Sequence, residues 1–396
     1  MRPTRFGASL VRKRLKLGVI TDEFFDAQLG RLGGFGWAAR QLGEIFNGDP
    51  TLGVDLVYIA GEHLATAGRN ETTVHGSRVI LRQRSRVANF RAMQREQFDL
   101  LLTIDYNLGY SVYLRSLPRT PTIVWVRDPR TPEDAERIRA VRLPGDDVTV
   151  PQGLMSHDGR SLARIARESR LTRRTLLLAT PTPLLVSKLE GAYGFEPWDF
   201  HFLPNPIRLD PASRSKSPTP TVVFLARLDP YKRPWVTVEL ARRFPHVQFQ
   251  LLGQAHCVGE GAFSTENLPP NVHLLGHVGE REKQRLLSEA WVAINTSVHE
   301  GLAVSFLEAL ACDTPLLSCV NTGFTVSRFG IYTGRFDGDG MASIAAFSAG
   351  LQTLLDQPAL RADLGRRGRE WVRATHSLEN FVANFHRLSD FARGVS

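Results

Sequence analysis

The chain has 396 residues, 42% of them hydrophobic and 22% charged, and a net charge of +9. This is the composition of a folded globular protein, too long for one ordinary core and sufficient for two domains. It holds no run of about eighteen apolar residues, which excludes a membrane-spanning helix, and its basic N-terminus has no apolar segment long enough for a signal peptide.

The N-terminal cations (Arg2, Arg5, Arg12, Lys13, Arg14 and Lys16) read as a solvated tail, with contact to acidic lipid as the alternative. The positive charge admits nucleic acid, anionic membrane or phosphorylated small molecules as partners. Its cations are scattered along the chain rather than striped on one segment, which weighs against nucleic acid. Cys257, Cys312 and Cys319 show no metal-ligand spacing, and their odd number argues against a disulfide framework. Cys312 and Cys319 lie in apolar surroundings and read as core residues. The expectation is a cytoplasmic, reducing compartment.

In chain order, a strand over 16–22 leads into a glycine-rich loop and a helix over 36–46. The run Gly34-Phe35-Gly36-Trp37-Ala38-Ala39 matches G-x-G-x-x-A. A dinucleotide fold, however, puts these glycines in the tight turn directly after the strand, and here they come well after Asp22. Gly33 and Gly34 are read equally as a loop able to approach a phosphate or sugar closely or as a flexible connection. Glu62, after a strand over 54–60, comes late for a ribose-binding acid. A basic segment, 78–95, reads as a helix ahead of a buried parallel-type strand over 98–105 (FDLLLTID). A short helix over 108–117 and a strand over 122–127 follow, the strand running into Arg127-Asp128-Pro129-Arg130. Charged residues at the carboxyl end of a parallel strand are where open α/β sheets bind ligands. Asp128 is therefore a candidate catalytic residue, with a turn or helix cap before Pro129 as the alternative.

The charged stretch 131–174 holds Pro144-Gly145 and Pro151-Gln152-Gly153, so a loop-rich insertion over the strand ends is expected. A strand over 176–180, a helix over 183–193 and a strand over 200–203 close the first half. The polar segment 209–220 (LDPASRSKSPTP) is the best linker in the chain. After it come strands over 222–226, 247–252, 272–275 and 291–295 with helices over 235–244 and 281–290, then helices over 343–355, 359–375 and 378–391. Strands alternating with helices on both sides of a linker imply an α/β protein of two doubly wound domains facing a cleft. The expected division is a first domain 1–206, a linker 207–220, a second domain 221–375 and a C-terminal helix, 376–396. Phe381, Phe385, Leu388 and Phe391 share one face of that helix, which would pack back on the first domain.

The most distinctive stretch is 295–322, NTSVHEGLAVSFLEALACDTPLLSCVNT. Leu302, Phe306, Leu307 and Leu310 recur at helical spacing, and Asp313-Thr314-Pro315 stops the helix. Glu300 sits at the helix mouth, where the unpaired N–H groups of Gly301, Leu302, Ala303 and Val304 favour anionic or hydroxyl-rich ligands. Glu308 falls inside an otherwise apolar helix, where a carboxylate needs a partner that a ligand hydroxyl would supply. His299 reads as a loop residue. Upstream, FLARLDPYKRP puts Arg227 at a strand end and an exposed Lys232 five residues on. Such a pair could grip a diphosphate, or be two solvated loop cations.

Together GGFGWAARQL, FLPNPIRL, FLARLDPYKRP and SVHEGLAVSFLEALACDTPLLSC resemble the retaining GT-B-fold glycosyltransferases of the glycogen-synthase-like group (glycosyltransferase group 1, family 4-type). The resemblance covers most of the chain in organisation and 204–320 in motif detail. It implies two Rossmann-like domains and transfer of a sugar from a UDP- or GDP-sugar to an acceptor hydroxyl, without metal or cofactor. The acceptor would be a cell-surface glycan, a lipid-linked molecule or a small glycoside. Arg227 and Lys232 would neutralise the donor diphosphate, Glu300 contact the donor sugar and Glu308 accept from the ribose hydroxyls. Gly253 and Gly276-His277-Val278 would lie against the base, and Gly33 and Gly34 would approach the donor from the first domain. The eight-residue offset between the carboxylates is ~12 Å by helical rise, comparable with the span from ribose to sugar in a nucleotide sugar. Front-face attack, with the departing phosphate taking the acceptor proton, makes Glu300 a positioning and stabilising group rather than a nucleophile.

Three departures stand against that pattern. Asp313 and Ala303 occupy positions where the family commonly has glycine, which would alter how closely the backbone approaches the donor. No histidine follows the first-domain strand, so Asp128 or Arg127 substitutes, or the contact to the donor sugar differs. Rival readings are a nucleotide-sugar epimerase of the same architecture, an NAD-dependent oxidoreductase resting only on Gly34-x-Gly36, and a non-catalytic sugar- or nucleotide-binding protein. The expected partners are a nucleotide sugar and its acceptor, not nucleic acid, with peripheral anionic membrane contact as an option.

Overall fold

The computed structural model describes residues 14–26, 29, 33–62, 69–145, 159–193, 200–210, 215–255 and 262–395. In the first half β1 (Leu15–Thr21), α1 (Gly34–Gly48), β2 (Val54–Ala60), β3 (Glu71–Val74), β4 (Ser77–Ile80), α2 (Arg86–Glu96) and β5 (Leu100–Ile104) are followed by α3 (Ser111–Ser116) and β6 (Thr122–Trp125). Then come α4 (Pro132–Arg139), α5 (Gly159–Thr172), β7 (Leu176–Thr180), α6 (Val186–Tyr193) and β8 (Phe200–Phe202). The strands make one sheet in the order β3-β4-β2-β1-β5-β6-β7-β8, parallel apart from the β3–β4 pair. The central strands are apolar on both sides because helices cover both faces: β5 is buried at all five positions.

The second half runs β9 (Thr221–Leu225), α7 (Pro234–Arg243), β10 (Gln248–Leu252), β11 (Val272–Gly276), α8 (Glu280–Glu289), β12 (Val292–Asn295), α9 (Val304–Ala311) and β13 (Leu316–Ser318). It ends with α10 (Thr325–Phe329), β14 (Gly330–Tyr332), α11 (Ile344–Asp356), α12 (Pro358–His376) and α13 (Leu378–Arg393). Its sheet is wholly parallel in the order β11-β10-β9-β12-β13-β14. The order reverses between β9 and β12, and the crevice outside the carboxyl ends of those two strands is where such a sheet takes its ligand. Both sheets are doubly wound, so the α/β expectation holds.

Three readings of the sequence need correction. Part of the basic segment 78–95 is strand, not helix: β4 pairs with β3 through a tight turn in which His75 and Gly76 both have positive φ, 51° and 73°, the geometry of a two-residue hairpin. The stretch 131–174 is not chiefly loop. Thr131 and Asp134 form a reciprocal capping box at the start of α4, and α5 buries Leu162 and Ile165 beneath a coat of arginines that masked its apolar stripe. The short β14 gave no sequence signal beyond Gly330, where a Cβ would stand 2.0 Å from the Leu316 carbonyl oxygen. Cys312 and Cys319 are free thiols, while Cys257 and the N-terminal cations Arg2 to Lys13 lie outside the described residues.

The C-terminal helix α13 crosses back to the first sheet through Phe381, Phe385 and Leu388, whereas Phe391, expected on the same packing face, is 62% exposed near the helix end. Phe381 lies 5.7 Å from the Trp125 ring and Phe385 4.9 Å from Phe46, centroid to centroid, and both phenylalanines are fully buried. The outgoing and returning chains meet side by side. Ile207 bridges to Ser377, its N–H donates to the His376 carbonyl at 2.8 Å, and the Asn205 N–H donates to His376 Nδ1 at 3.2 Å.

Burial pushes His376 down from 6.5 to about 3. The unfolded chain therefore takes up a proton near pH 6.5 that the folded chain refuses, so this residue costs stability as pH falls below that value. His376→Gln keeps an acceptor for Asn205 and removes the titration. Between pH 7.5 and 5.5 the parent should lose about 1.4 kcal/mol more than the variant in urea unfolding. Parallel pH profiles would show that His376 does not stay neutral.

Candidate active site

Between the carboxyl ends of the two sheets lies a cleft of about 970 Å³. Every residue proposed from the sequence lines it: Asp128, Arg227, Lys232, Glu300, Glu308, Gly33, Gly34, Gly253, Gly276 to Val278 and Gly301 to Val304. No helix among the described residues is long and apolar enough to cross a membrane.

The loops that carry the charged groups are locked by a buried arginine. Arg233 is 1% exposed and donates to the carbonyls of Thr296 (2.8 Å), Phe336 (2.9 Å) and Ser297 (3.2 Å). The Thr296 hydroxyl donates back to the Lys232 carbonyl at 2.7 Å. The loop after β9 is thereby fastened to the loop after β12, at the switch point of the sheet, and Lys232 is held opposite Glu300. Lys232 is not exposed, contrary to the sequence reading: its Nζ lies 2.6 Å from Glu300 Oε1, with side chains only 13% and 11% exposed. Burial opposes charge on both, but their mutual attraction prevails, raising the lysine pKa and, with donors from Ser297 and Asn295, lowering that of Glu300.

The distribution of those bonds is informative. Lys232 (2.6 Å), Ser297 Oγ (2.6 Å) and Asn295 Nδ2 (3.1 Å) all converge on Glu300 Oε1. Among the described residues none donates to Oε2, so one oxygen fixes the carboxylate and the other is left for a ligand. Arg227 is also partnered, with Asp229 at 3.2 Å and with the Tyr231 hydroxyl. Burial disfavours its charge, but Tyr231, Asp229 and Glu23 outweigh that and raise its pKa. Arg227 and Lys232 are fixed cations in a partly dry cleft, not solvated loop cations.

Glu308 already has a protein partner, which the sequence reading left to a ligand. Lys283 of α8 reaches Glu308 Oε1 at 2.6 Å and Glu280 at 2.9 Å. Burial still raises the Glu308 pKa, with Glu280 adding to the rise against Lys283. The turn glycines have physical reasons. A Cβ on Gly301 would stand 2.3 Å from the Arg127 carbonyl oxygen, and one on Gly253 (φ 148°) 1.9 Å from that of Ala226. Gly301 thus marks where the backbones of the two halves touch across the cleft. Ala303 lines the cleft, but Asp313 is remote from it. Asp313 ends α9 in the left-handed conformation (φ 55°) with its carboxylate on Arg369 at 3.1 Å, a helix C-cap that Asp tolerates.

The first-domain wall differs most from the sequence reading. Asp128 pairs with Arg130 at 2.8 Å and with His299 Nε2, also at 2.8 Å. His299, read as an idle loop residue, is 5% exposed and puts Nδ1 3.2 Å from Asp134. Burial disfavours the imidazolium, but the two carboxylates outweigh it and raise its pKa. His299 therefore bridges the second half to the first, with a carboxylate at each ring nitrogen favouring its charged form. Arg127 is buried, with its guanidinium 4.3 Å from the Trp125 ring, and burial pushes its pKa down to about 10. Lys283, Arg233 and His299 were missed from sequence; only the i,i+3 spacing of Glu280 and Lys283 gave a local clue.

Residues 208–371 match the family model for glycosyl transferases group 1. The second half of the chain is thus similar to the group 1 glycosyltransferases over that stretch. No curated protein matches it. Similar solved structures include a sucrose-phosphate synthase from Thermosynechococcus elongatus, 18% identical with a TM-score of 0.71 over 97% of this chain and 100% of that one. Anabaena HepE in complex with UDP-glucose is 13% identical with a TM-score of 0.66, covering 95% and 100%. The pneumococcal O-GlcNAc transferase GtfA, in complex with UDP and GlcNAc, is 10% identical with a TM-score of 0.66, covering 96% and 99%. At these identities the likeness establishes the GT-B fold, which agrees with the family resemblance.

Removing Lys283 from this glycosyltransferase strands a buried carboxylate. Lys283→Met should lower stability by about 3 kcal/mol in urea unfolding, and Lys283→Met/Glu308→Leu should recover most of it. Equal stability of the single variant and the parent would mean that Glu308 is already uncharged.

Proposed function

We propose that this glycosyltransferase moves a sugar from a nucleoside diphosphate sugar to an acceptor hydroxyl with retention of anomeric configuration. The observation that carries the reading is the Lys232–Glu300 pair beside Arg227: two held cations and a carboxylate with one oxygen open to the same cleft. In the reaction the bond from the anomeric carbon to the diphosphate breaks as the acceptor oxygen bonds on the same face. The acceptor proton passes to the departing phosphate oxygen, and a nucleoside diphosphate leaves. Arg227 and the remaining ammonium hydrogens of Lys232 stabilise the charge that grows on the leaving group, taking the part a metal ion plays elsewhere. Glu300 holds a donor-sugar hydroxyl through Oε2. Glu308, kept in place by Lys283, accepts from the ribose, and the base lies against Gly253 and Gly276 to Val278. Asp128, oriented by His299 and Arg130, faces the transferred sugar from the first domain.

UDP is the donor nucleotide best supported, since HepE and GtfA carry UDP or a UDP-sugar on the same fold; GDP is the alternative. A hydroxyl on a glycan, a lipid-linked molecule or a small glycoside would complete the reaction. The Gly34-x-Gly36 match carries no dinucleotide reading here, because Gly33 and Gly34 enter α1 well beyond the turn that follows β1.

Donor hydrolysis screened across UDP-, GDP- and ADP-sugars, with product anomericity read by NMR, tests the proposal. One donor should release its sugar with the configuration it had. Release of the opposite anomer, or interconversion of donor sugars without cleavage, would sink it.

Lys232→Ala should cut turnover by about 10³-fold and, because it leaves Glu300 without its cation, cost about 1–3 kcal/mol of stability. Lys232→Ala/Glu300→Gln should regain the stability but not the activity. Recovery of turnover in the double variant would show that Lys232 serves only to neutralise Glu300.

A further inference from the structure

One face of the first sheet carries a second, separate feature. The helices α2, α3 and α5 cover the same side of that sheet, sharing one core cluster through Met93, Leu114, Leu162 and Ile165. On their outward sides and at their ends stand eleven exposed arginines, four on or before α2 and five on α5 or just after it. The acids in the same segments are Glu96 and Glu168, and each is held in ion pairs, Glu96 with Lys16 and Arg78, Glu168 with Arg115 and Arg164. Large apolar side chains project among the arginines: Val87 is 58% exposed, Phe90 48% and Leu171 76%. Val87 and Phe90 are one helical turn apart and share a face of α2.

We propose that this arginine-rich face docks the glycosyltransferase on an anionic lipid bilayer. Arginines supply the attraction to acidic headgroups, and the exposed Val87, Phe90 and Leu171 insert at the headgroup boundary. Duplex nucleic acid would match the charge, but its bases are already stacked and leave Val87, Phe90 and Leu171 in water, whereas a bilayer buries them. The feature was invisible in the sequence because its cations come from three separate segments. The docking stands or falls independently of the donor.

The test is flotation of the full chain with vesicles of phosphatidylcholine alone or of equal parts phosphatidylcholine and phosphatidylglycerol. The protein should float only with the anionic vesicles and be released as salt rises. Arg86→Glu/Arg91→Glu/Arg167→Glu/Arg170→Glu should lower the partition coefficient at least ~100-fold, with its thermal melt kept near the parent's to show that the fold survives. Phe90→Ser/Leu171→Ser should lower it several-fold at unchanged charge. The proposal is overturned if the parent does not float, if the charge-reversed variant floats as the parent does, or if duplex DNA is bound at a salt that leaves the vesicles bare.

Discussion

Two crossings of the chain between its halves, side by side at Ile207 and Ser377, set the relation on which the cleft depends. The carboxyl ends of two independent sheets form a site only if they face each other in a fixed way. A single linker leaves that relation loose. The return of α13, with Phe381 and Phe385 buried against the first sheet, makes the C-terminus part of the first domain's core. Further ties reach across at the opposite wall: Arg137 to Asp337 and Arg335 to Glu133, both at 2.5 Å, and His299 to Asp128 and Asp134. The two arginine pairs are partly exposed, whereas the His299 contacts and the aromatic contact are buried. The hydrophobic crossing and the charged contacts thus tie the two halves together at two separate places.

Inside the cleft, a common arrangement governs the ionisable groups. Each carries a partner that holds its geometry and still leaves part of its bonding capacity free. Glu300 commits one oxygen to Lys232, Asn295 and Ser297. Lys232 commits one ammonium bond, and the backbone of its loop is fixed from behind by Thr296. Bringing such groups out of water is costly unless they are paired. Pairing them with one another lets the protein bear that cost before any ligand arrives. A preorganised cation at the leaving group then needs no reorganisation at the moment of reaction.

The fold was largely legible in the sequence because alternating apolar runs and helical stripes determine a doubly wound sheet almost wherever they occur. The strands over 54–60 and 176–180 agree to the residue, and the others lie within a few residues of their expected bounds. The errors fall where local signal is overridden. The β3–β4 hairpin hides its turn in His75-Gly76, and α5 hides two core positions among arginines. At the site, residues near the motifs were found, and those that act on them from elsewhere were not. Arg233 lies beside Lys232 in sequence, yet nothing in its neighbourhood announces that its guanidinium is buried against the loop after β12. His299 appears idle until the fold brings Asp128 and Asp134 to its two nitrogens. Such partners are properties of three-dimensional juxtaposition, and only motif spacing on one element can be read in advance.

The same reasoning explains the net charge. In sequence the arginines are dispersed, which weighs against nucleic acid as a partner. Folding sorts them. In the cleft, cations meet acids nearly one for one, as the pairs of Lys232, Lys283, Arg130 and Arg227 show. On the outer side of α2, α3 and α5 they meet almost none. A surplus confined to one face does not stabilise the fold, since like charges on neighbouring helices repel. Exposed apolar side chains among them add no stability to the isolated chain either. A surface that combines both features is accounted for by what it meets, and a sheet of acidic headgroups over hydrocarbon is the environment that satisfies both at once.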